Sequence, residues 1–204
     1  MPFTRKSFIP NLLALSLCAV SLSTASQTTA ASAAGAAYLQ TANTQTADSK
    51  TASIALHTLL EQIWDFELSQ FPSLAKSKGA DPSTLTSQFT DISMPAMTSR
   101  HSFFVEARAQ LNRINEAVLN PEDRITLIMQ KYRLDNYISQ FTFKEYRVPI
   151  TSEYGFHSSL GSSLSGMRIS SASDLAVYKQ MLSEVPQQFA HNIRYMREGL
   201  ELGH

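Results

Sequence analysis

The chain has 204 residues, room for about one domain, with 17 basic and 17 acidic side chains and no block of either sign. That balance excludes the basic stripe of a nucleic-acid groove and the polybasic patch of a protein held on anionic lipid. Cys18 is the only cysteine, so no internal disulfide can form and packing must supply the stability.

The first 25 residues read as a signal peptide. Arg5 and Lys6 form a short positive region, and Phe8–Leu22 is an apolar run. At about 15 residues that run falls short of the ~20 a membrane-spanning helix needs. Ser23 and Ala25 sit at the −3 and −1 positions of a cleavage site, with Ala30 and Ala34 as later alternatives. The expectation is a periplasmic or secreted protein with no stable membrane span. Leu17 stands where a lipobox wants a small residue, which counts against lipoprotein attachment through Cys18. Cleavage removes Arg5 and Lys6 and leaves a net charge of −2.

Residues 26–50 are rich in Ala, Thr and Ser, with Tyr38 and Leu39 the only large apolar pair. The stretch buries too little apolar surface to offset its ordering entropy and reads as a flexible tether. Residues 51–204 read as a helical domain or domain fragment. The first helix spans about Thr51–Gln70, with Leu56, Leu59, Leu60, Ile63 and Trp64 at helical spacing and Pro72 as its stop. After a connector broken at Gly79-Ala-Asp-Pro82, a second helix spans about Ser99–Leu119 on a stripe of Phe104, Ala107, Leu111, Ile114 and Val118. The third starts at Asn120-Pro121-Glu122-Asp123, where Asn caps, Pro suits the first helical position and the acids complement the helix dipole. Its expected buried face is Ile125, Ile128, Tyr132, Ile138 and Phe141.

From Thr142 to Ser170 the helical period lapses among glycines and serines, which predicts one long irregular segment. A fourth helix is capped at Ser171 and Asp174 and carries Leu175, Tyr178, Leu182 and Val185. Pro186 is expected to break it and start a fifth, striped by Phe189, Ile193, Met196 and Leu200 and ended by Gly203. The fold class is mainly α, about five amphipathic helices. Stripes on all five require mutual burial or an absent partner.

Neither periodicity nor spacing yields an active site. None of the five histidines begins an H-E-x-x-H zinc helix, and Gly155 between Glu153 and His157 keeps that pair off a shared helix face. Gly161-Ser-Ser-Leu-Ser-Gly166 lacks the spacing and the preceding strand of a nucleophile elbow. Ser73-Leu-Ala-Lys76 fits S-x-x-K without a companion K-T-G. Phe66, Phe71, Phe103, Phe104 and Trp64 read as core. Catalytic and metal residues are therefore none.

An ordered set of phrases carries a resemblance. These are Phe71-Pro-Ser-Leu-Ala with Gly79, Phe89-Thr-Asp-Ile-Ser93, Leu119-Asn-Pro-Glu-Asp-Arg124, Phe143–Pro149, Ser173-Asp-Leu-Ala-Val-Tyr178, Val185-Pro186 and Ile193-Arg-Tyr-Met-Arg-Glu-Gly199. Over about residues 55–203 the chain resembles the N-terminal part of the bacterial domain of unknown function 885 family. The resemblance implies a zinc-metallopeptidase-like protein, often exported, whose H-E-x-x-x-G-H-type helix lies well beyond the matched region. It thus implies an incomplete portion of a larger helical zincin-like fold, inactive alone and without zinc of its own. Its partner would be the missing C-terminal peptidase portion, and peptides would bind the full-length form. It further implies that 142–170 lines the substrate cleft, with Tyr154 and His157 as lining residues. The alternative reading is a small periplasmic helical binding or adaptor protein without enzymatic activity.

Overall fold

A computed structural model describes residues 31–203. The expected signal peptide, Cys18 and His204 lie outside the described residues. The chain divides into two compact units, Met1–Thr41 and Ala42–His204. Of the first, the described part is helical; the rest of the description concerns the second.

The architecture is mainly helical. Helix α1 spans Ala31–Gln70, α2 Pro72–Ser77, α3 Met94–Arg113, α4 Pro121–Thr142, α5 Phe156–Ser165 and α6 Ala172–Glu201. Three short 3-10 turns occupy Pro82–Thr84, Glu116–Val118 and Glu145–Arg147. Among the described residues the only extended pairing is an isolated antiparallel bridge between Ile150 and Gly155.

Local chemistry sets the boundaries. Pro72 forces Phe71 into extended backbone (φ −120°, ψ 90°), which separates α1 from α2. The Ser93 side chain caps α3 by accepting from Ala96 N, with Pro95 at the helix start. Asn120 Oδ1 accepts from Asp123 N at 2.9 Å, as the Asn-Pro-Glu-Asp phrase predicts. Ser171 Oγ accepts from Asp174 N at 3.1 Å, and Asp174 Oδ2 accepts from Ser170 N at 2.8 Å, a reciprocal box that starts α6.

The apolar core lies among α1, α3 and α4. Leu56, Leu59 and Ile63 meet Phe104, Ala107 and Leu111 across from Leu127 and Leu134, with Leu119 closing one end. Each such leucine, fully removed from water, contributes roughly 1.5–3 kcal/mol. Phe66 stacks on Phe103 with ring centroids 3.6 Å apart, and Phe71 packs on the same core. Trp64 does not: it is exposed at the surface, with the Lys78 ammonium 5.6 Å from its ring.

Several expectations are corrected. Helix α1 extends back from Thr51 into the Ala-rich stretch read as a tether, because alanine has the highest helix propensity whether or not a core covers it. Helix α3 starts about five residues earlier than expected, at the Ser93 cap, and ends at Arg113. The segment 142–170 is not irregular throughout. Phe156, Leu160 and Leu164 stand four apart, a short helical period, and they mark α5. Pro186 does not break α6, which continues to Glu201. A proline inside a helix removes one hydrogen bond and crowds the previous turn. Pro186→Ala is therefore expected to raise stability, by up to about 3 kcal/mol, read as a higher urea midpoint.

The largest correction concerns which faces are buried. In α4 the buried residues are Asp123, Leu127, Gln130 and Leu134, while Ile125, Ile128 and Tyr132 are exposed, Tyr132 by 77%. In α6 they are Val177, Met181, Asn192, Tyr195 and Gly199, while Leu175, Leu182, Ile193 and Leu200 are exposed. The reason is visible in α6. Its inner face mixes the apolar Val177 and Met181 with polar side chains that satisfy backbone groups, so hydrophobic periodicity alone points to the opposite side.

Candidate functional site

That inner face of α6 reads an irregular segment, Thr86–Ile92. Gln180 Nε2 donates to Thr86 O at 3.0 Å, Gln188 Nε2 donates to Thr90 O at 3.0 Å, and Tyr195 Oη donates to Ile92 O at 2.6 Å. Between them the Glu184 carboxylate accepts from Gln88 N, Phe89 N and Ser87 Oγ. From the other side Lys76 Nζ donates to Gln88 O at 3.2 Å, and burial lowers its pKa. Residues 180, 184 and 188 recur every four positions, so one helix face holds a chain segment that has no sheet to satisfy it. This ladder fixes the floor on which the main cleft is built.

The cleft encloses about 570 Å³, within the range of small-molecule sites. Helix α3 contributes Arg100, His101 and Phe104, and α4 contributes Tyr137 and Phe141. Tyr146, in the Glu145–Arg147 turn, and Tyr195 of α6 complete the aromatic wall. The rings contact in series: Phe104 on Tyr137 at 5.0 Å, His101 on Phe141 at 4.6 Å, Phe141 near Tyr146 at 5.9 Å, and Tyr146 edge-on to Tyr195 at 5.0 Å. Gly199 permits this closure. A Cβ there would stand 3.1 Å from Arg147 O, so a side chain would push the Tyr146 turn away from α6.

Arg100 stands out in this wall. It is only 8% exposed, and it is the only Lys or Arg among the lining residues. Its Nη2 donates to Asp91 O at 2.7 Å, and its guanidinium carbon lies 5.8 Å from the Phe71 ring. Its Nη1 is buried with no hydrogen-bond acceptor, and Arg100 forms no ion pair among the described residues. Burial lowers its pKa, yet a guanidinium stays protonated in a protein. The cleft therefore holds a buried positive charge with one unmet donor and no direct ion pair, the Asp91 carboxylate acting on it only through space.

The structure separates the two residues expected to line a cleft. Tyr154 is in the wall, presented by a tight turn in which Tyr154 N donates to Thr151 Oγ1 at 3.1 Å. It also borders a second, smaller cleft with Ser73, Phe156 and Ser163. His157 lines neither cleft; it is an exposed residue of the first turn of α5, its ring edge-on to Phe156. Sequence reasoning missed Arg100, Tyr137 and Tyr195. An arginine on the apolar stripe position before Phe104 was the available signal.

Other constellations resolve into structure. Ser163 lies within α5 and donates to Ser159 O at 2.8 Å, with no strand before it. Ser53 and His57, one turn apart on α1, both bond the Asp123 carboxylate, His57 Nε2 at 2.9 Å. The carboxylate sits between the two, so His57 takes no proton from Ser53 and the cluster is a pin from α1 to the start of α4. Hydrogen bonds from Ser53, then His57 and Asn120, hold the Asp123 pKa below its ordinary 3.8. A depressed carboxyl stabilises the fold above its unfolded pKa and loses that contribution as pH falls through its folded value. Unfolding midpoints measured from pH 6 to pH 2 should thus drop in acid below the ordinary Asp range, and Asp123→Asn should flatten part of that drop.

A zinc ion does not fit the described residues: no three His, Cys, Asp or Glu side chains converge as a metal site requires. Glu153 lies outside α5 and His157 within it.

The described residues thus form a mainly helical fold with a cleft lined by aromatic rings and Arg100. Residues 72–204 match the family described as bacterial protein of unknown function (DUF885), and the chain belongs to that family. Comparison with the curated proteins and with the solved structures returns no match.

Proposed function

We propose that this chain is the N-terminal, non-catalytic portion of an exported zinc-dependent peptidase, incomplete as a zincin-like fold, and that α4 and α6 seat the zinc-bearing portion. The observation that carries this reading is the pair of apolar stripes left in water. On α6, Leu175, Leu182, Phe189 and Met196 recur every seven residues, with Ile193 and Leu200 beside them. Leu175, Leu182, Ile193 and Leu200 are 41–73% exposed, while Phe189 is partly covered by Phe156 at 5.1 Å. A seven-residue apolar period along a helix suits packing against another helix. On α4, Ile125, Ile128, Met129 and Tyr132 form a second exposed apolar patch. The family membership and the charged, apolar, small-residue order of residues 1–25 support the rest.

The test is association. The zinc-bearing portion of a full-length family member, produced separately, should form a one-to-one complex with this chain in analytical ultracentrifugation. Leu182→Asp with Ile193→Asp, both at exposed positions, should abolish it without unfolding the chain. Failure to associate, or a homodimer sensitive to the same changes, would remove the reading.

A second reading, a periplasmic helical binding or adaptor protein, is favoured by the aromatic cleft, which is built entirely from this chain. It requires ligand binding by the chain alone.

A further inference from the structure

We propose that the cleft is a binding site for an aromatic carboxylate, its anionic group taken by Arg100 and its ring by the aromatic wall. The inference holds whatever polypeptide covers α4 and α6, because every group it uses lies in this chain.

The argument begins with charge. A buried guanidinium with an unmet donor is unfavourable, and an anion held in the cleft would meet it. Arg100 is in that condition, with Asp91 O satisfying one terminal nitrogen and nothing accepting from the other. A single charge with a single free terminal donor matches a carboxylate. A phosphate dianion would call for several donors, and no other Lys or Arg lines the cleft.

Shape and surface supply the second half. Tyr137, Phe141 and Tyr146, half-buried rings backed by Phe104 and Tyr195, line a space of about 570 Å³, and aromatic pairs gain from stacked or edge-on contact beyond burial alone. Tyr154 is the most solvent-exposed ring of the wall, 57% exposed, and stands where a ligand would enter. Glu145, also in the wall, carries a negative charge and disfavours ligands with a second anionic group.

The shared chemistry covers a free aromatic acid and the C-terminal residue of a peptide. Isothermal titration of the purified chain with N-acetylphenylalanine and with N-acetylphenylalaninamide separates the charge from the ring. The acid should bind at least ten times more tightly than the amide, and more tightly than N-acetylglycine. Ring-proton shifts at Tyr137 and Tyr195 should accompany the acid. Adding 3-phenylpropionate and Gly-Gly-Phe distinguishes the two sources: preference for the tripeptide assigns a peptide C-terminus, and preference for the simple acid assigns a free metabolite. Arg100→Gln should erase the preference of acid over amide. Because Arg100 also holds Asp91 O, Tyr154→Ala serves as a second variant; it should weaken every aromatic probe several-fold while keeping that preference. Equal binding of acid and amide, preference surviving in folded Arg100→Gln, or no binding by any probe at millimolar concentration would overturn the assignment.

Discussion

Leu127→Ala is expected to destabilise the chain by about 2–5 kcal/mol, whereas Ile128→Ser, one residue along the same helix, should change stability by less than about 0.5 kcal/mol. Leu127 is fully buried among Leu56, Ile63, Leu111 and Leu134, so truncation removes transfer energy and leaves a cavity. Ile128 is 49% exposed, and its replacement leaves the core untouched. Urea unfolding of both variants reads the difference directly. The pair discriminates sharply because the hydrophobic pattern of α4 alone assigns them the other way round. If Ile128→Ser were the damaging change, the orientation of α4 described above would be wrong.

Glu184→Ala should cost about 3 kcal/mol and release the segment Thr86–Ile92 from α6. The carboxylate accepts from Gln88 N, Phe89 N and Ser87 Oγ, and removing it leaves donors unmet in a partly buried setting. Each such loss is worth about 1–3 kcal/mol, moderated where water reaches the group. Glu184→Gln keeps one acceptor oxygen and should fall between. Native-state hydrogen exchange at the amides of Gln88 and Phe89 gives the specific readout: both should lose protection in Glu184→Ala while α1 and α4 keep theirs. Retained protection would mean that the segment is held by its other contacts to Gln180, Gln188 and Tyr195.

These two expectations mark where the sequence was legible. Helix starts were readable where one residue both caps and signals, at Asn120 and at Ser171, because the chemistry of a helix end is local. The core stripe of the second helix, Phe104, Ala107 and Leu111, was readable because apolar burial alone determines it. The inner face of α6 was not. Gln180, Glu184 and Gln188 look like a solvated polar face until a chain segment ninety residues away brings its backbone to them. Pro186 read as a break because propensity says so, yet the helix runs on through it, flanked by the bonds of Glu184 and Gln188 to the Thr86–Ile92 segment.

Of the two residues expected to line a cleft, the structure places Tyr154 in the wall and leaves His157 out of it. Arg100 sits among residues that a periodicity reading assigns to the core, and nothing local reveals that one of its donors goes unmet. Tyr137 and Phe141 of α4 lie more than fifty residues before Tyr195 of α6, and they converge through the Tyr146 turn and the close approach at Gly199. A cleft assembled from non-local pieces carries no motif.

The central proposal is that this chain supplies a helical frame to a peptidase whose water-activating centre lies in another portion. Zinc content and peptide hydrolysis, measured on the same purified chain after dialysis against excess zinc and then buffer, test it most directly. The account predicts no stoichiometric zinc and no turnover above buffer. One tightly held equivalent of zinc accompanied by peptide cleavage would contradict it.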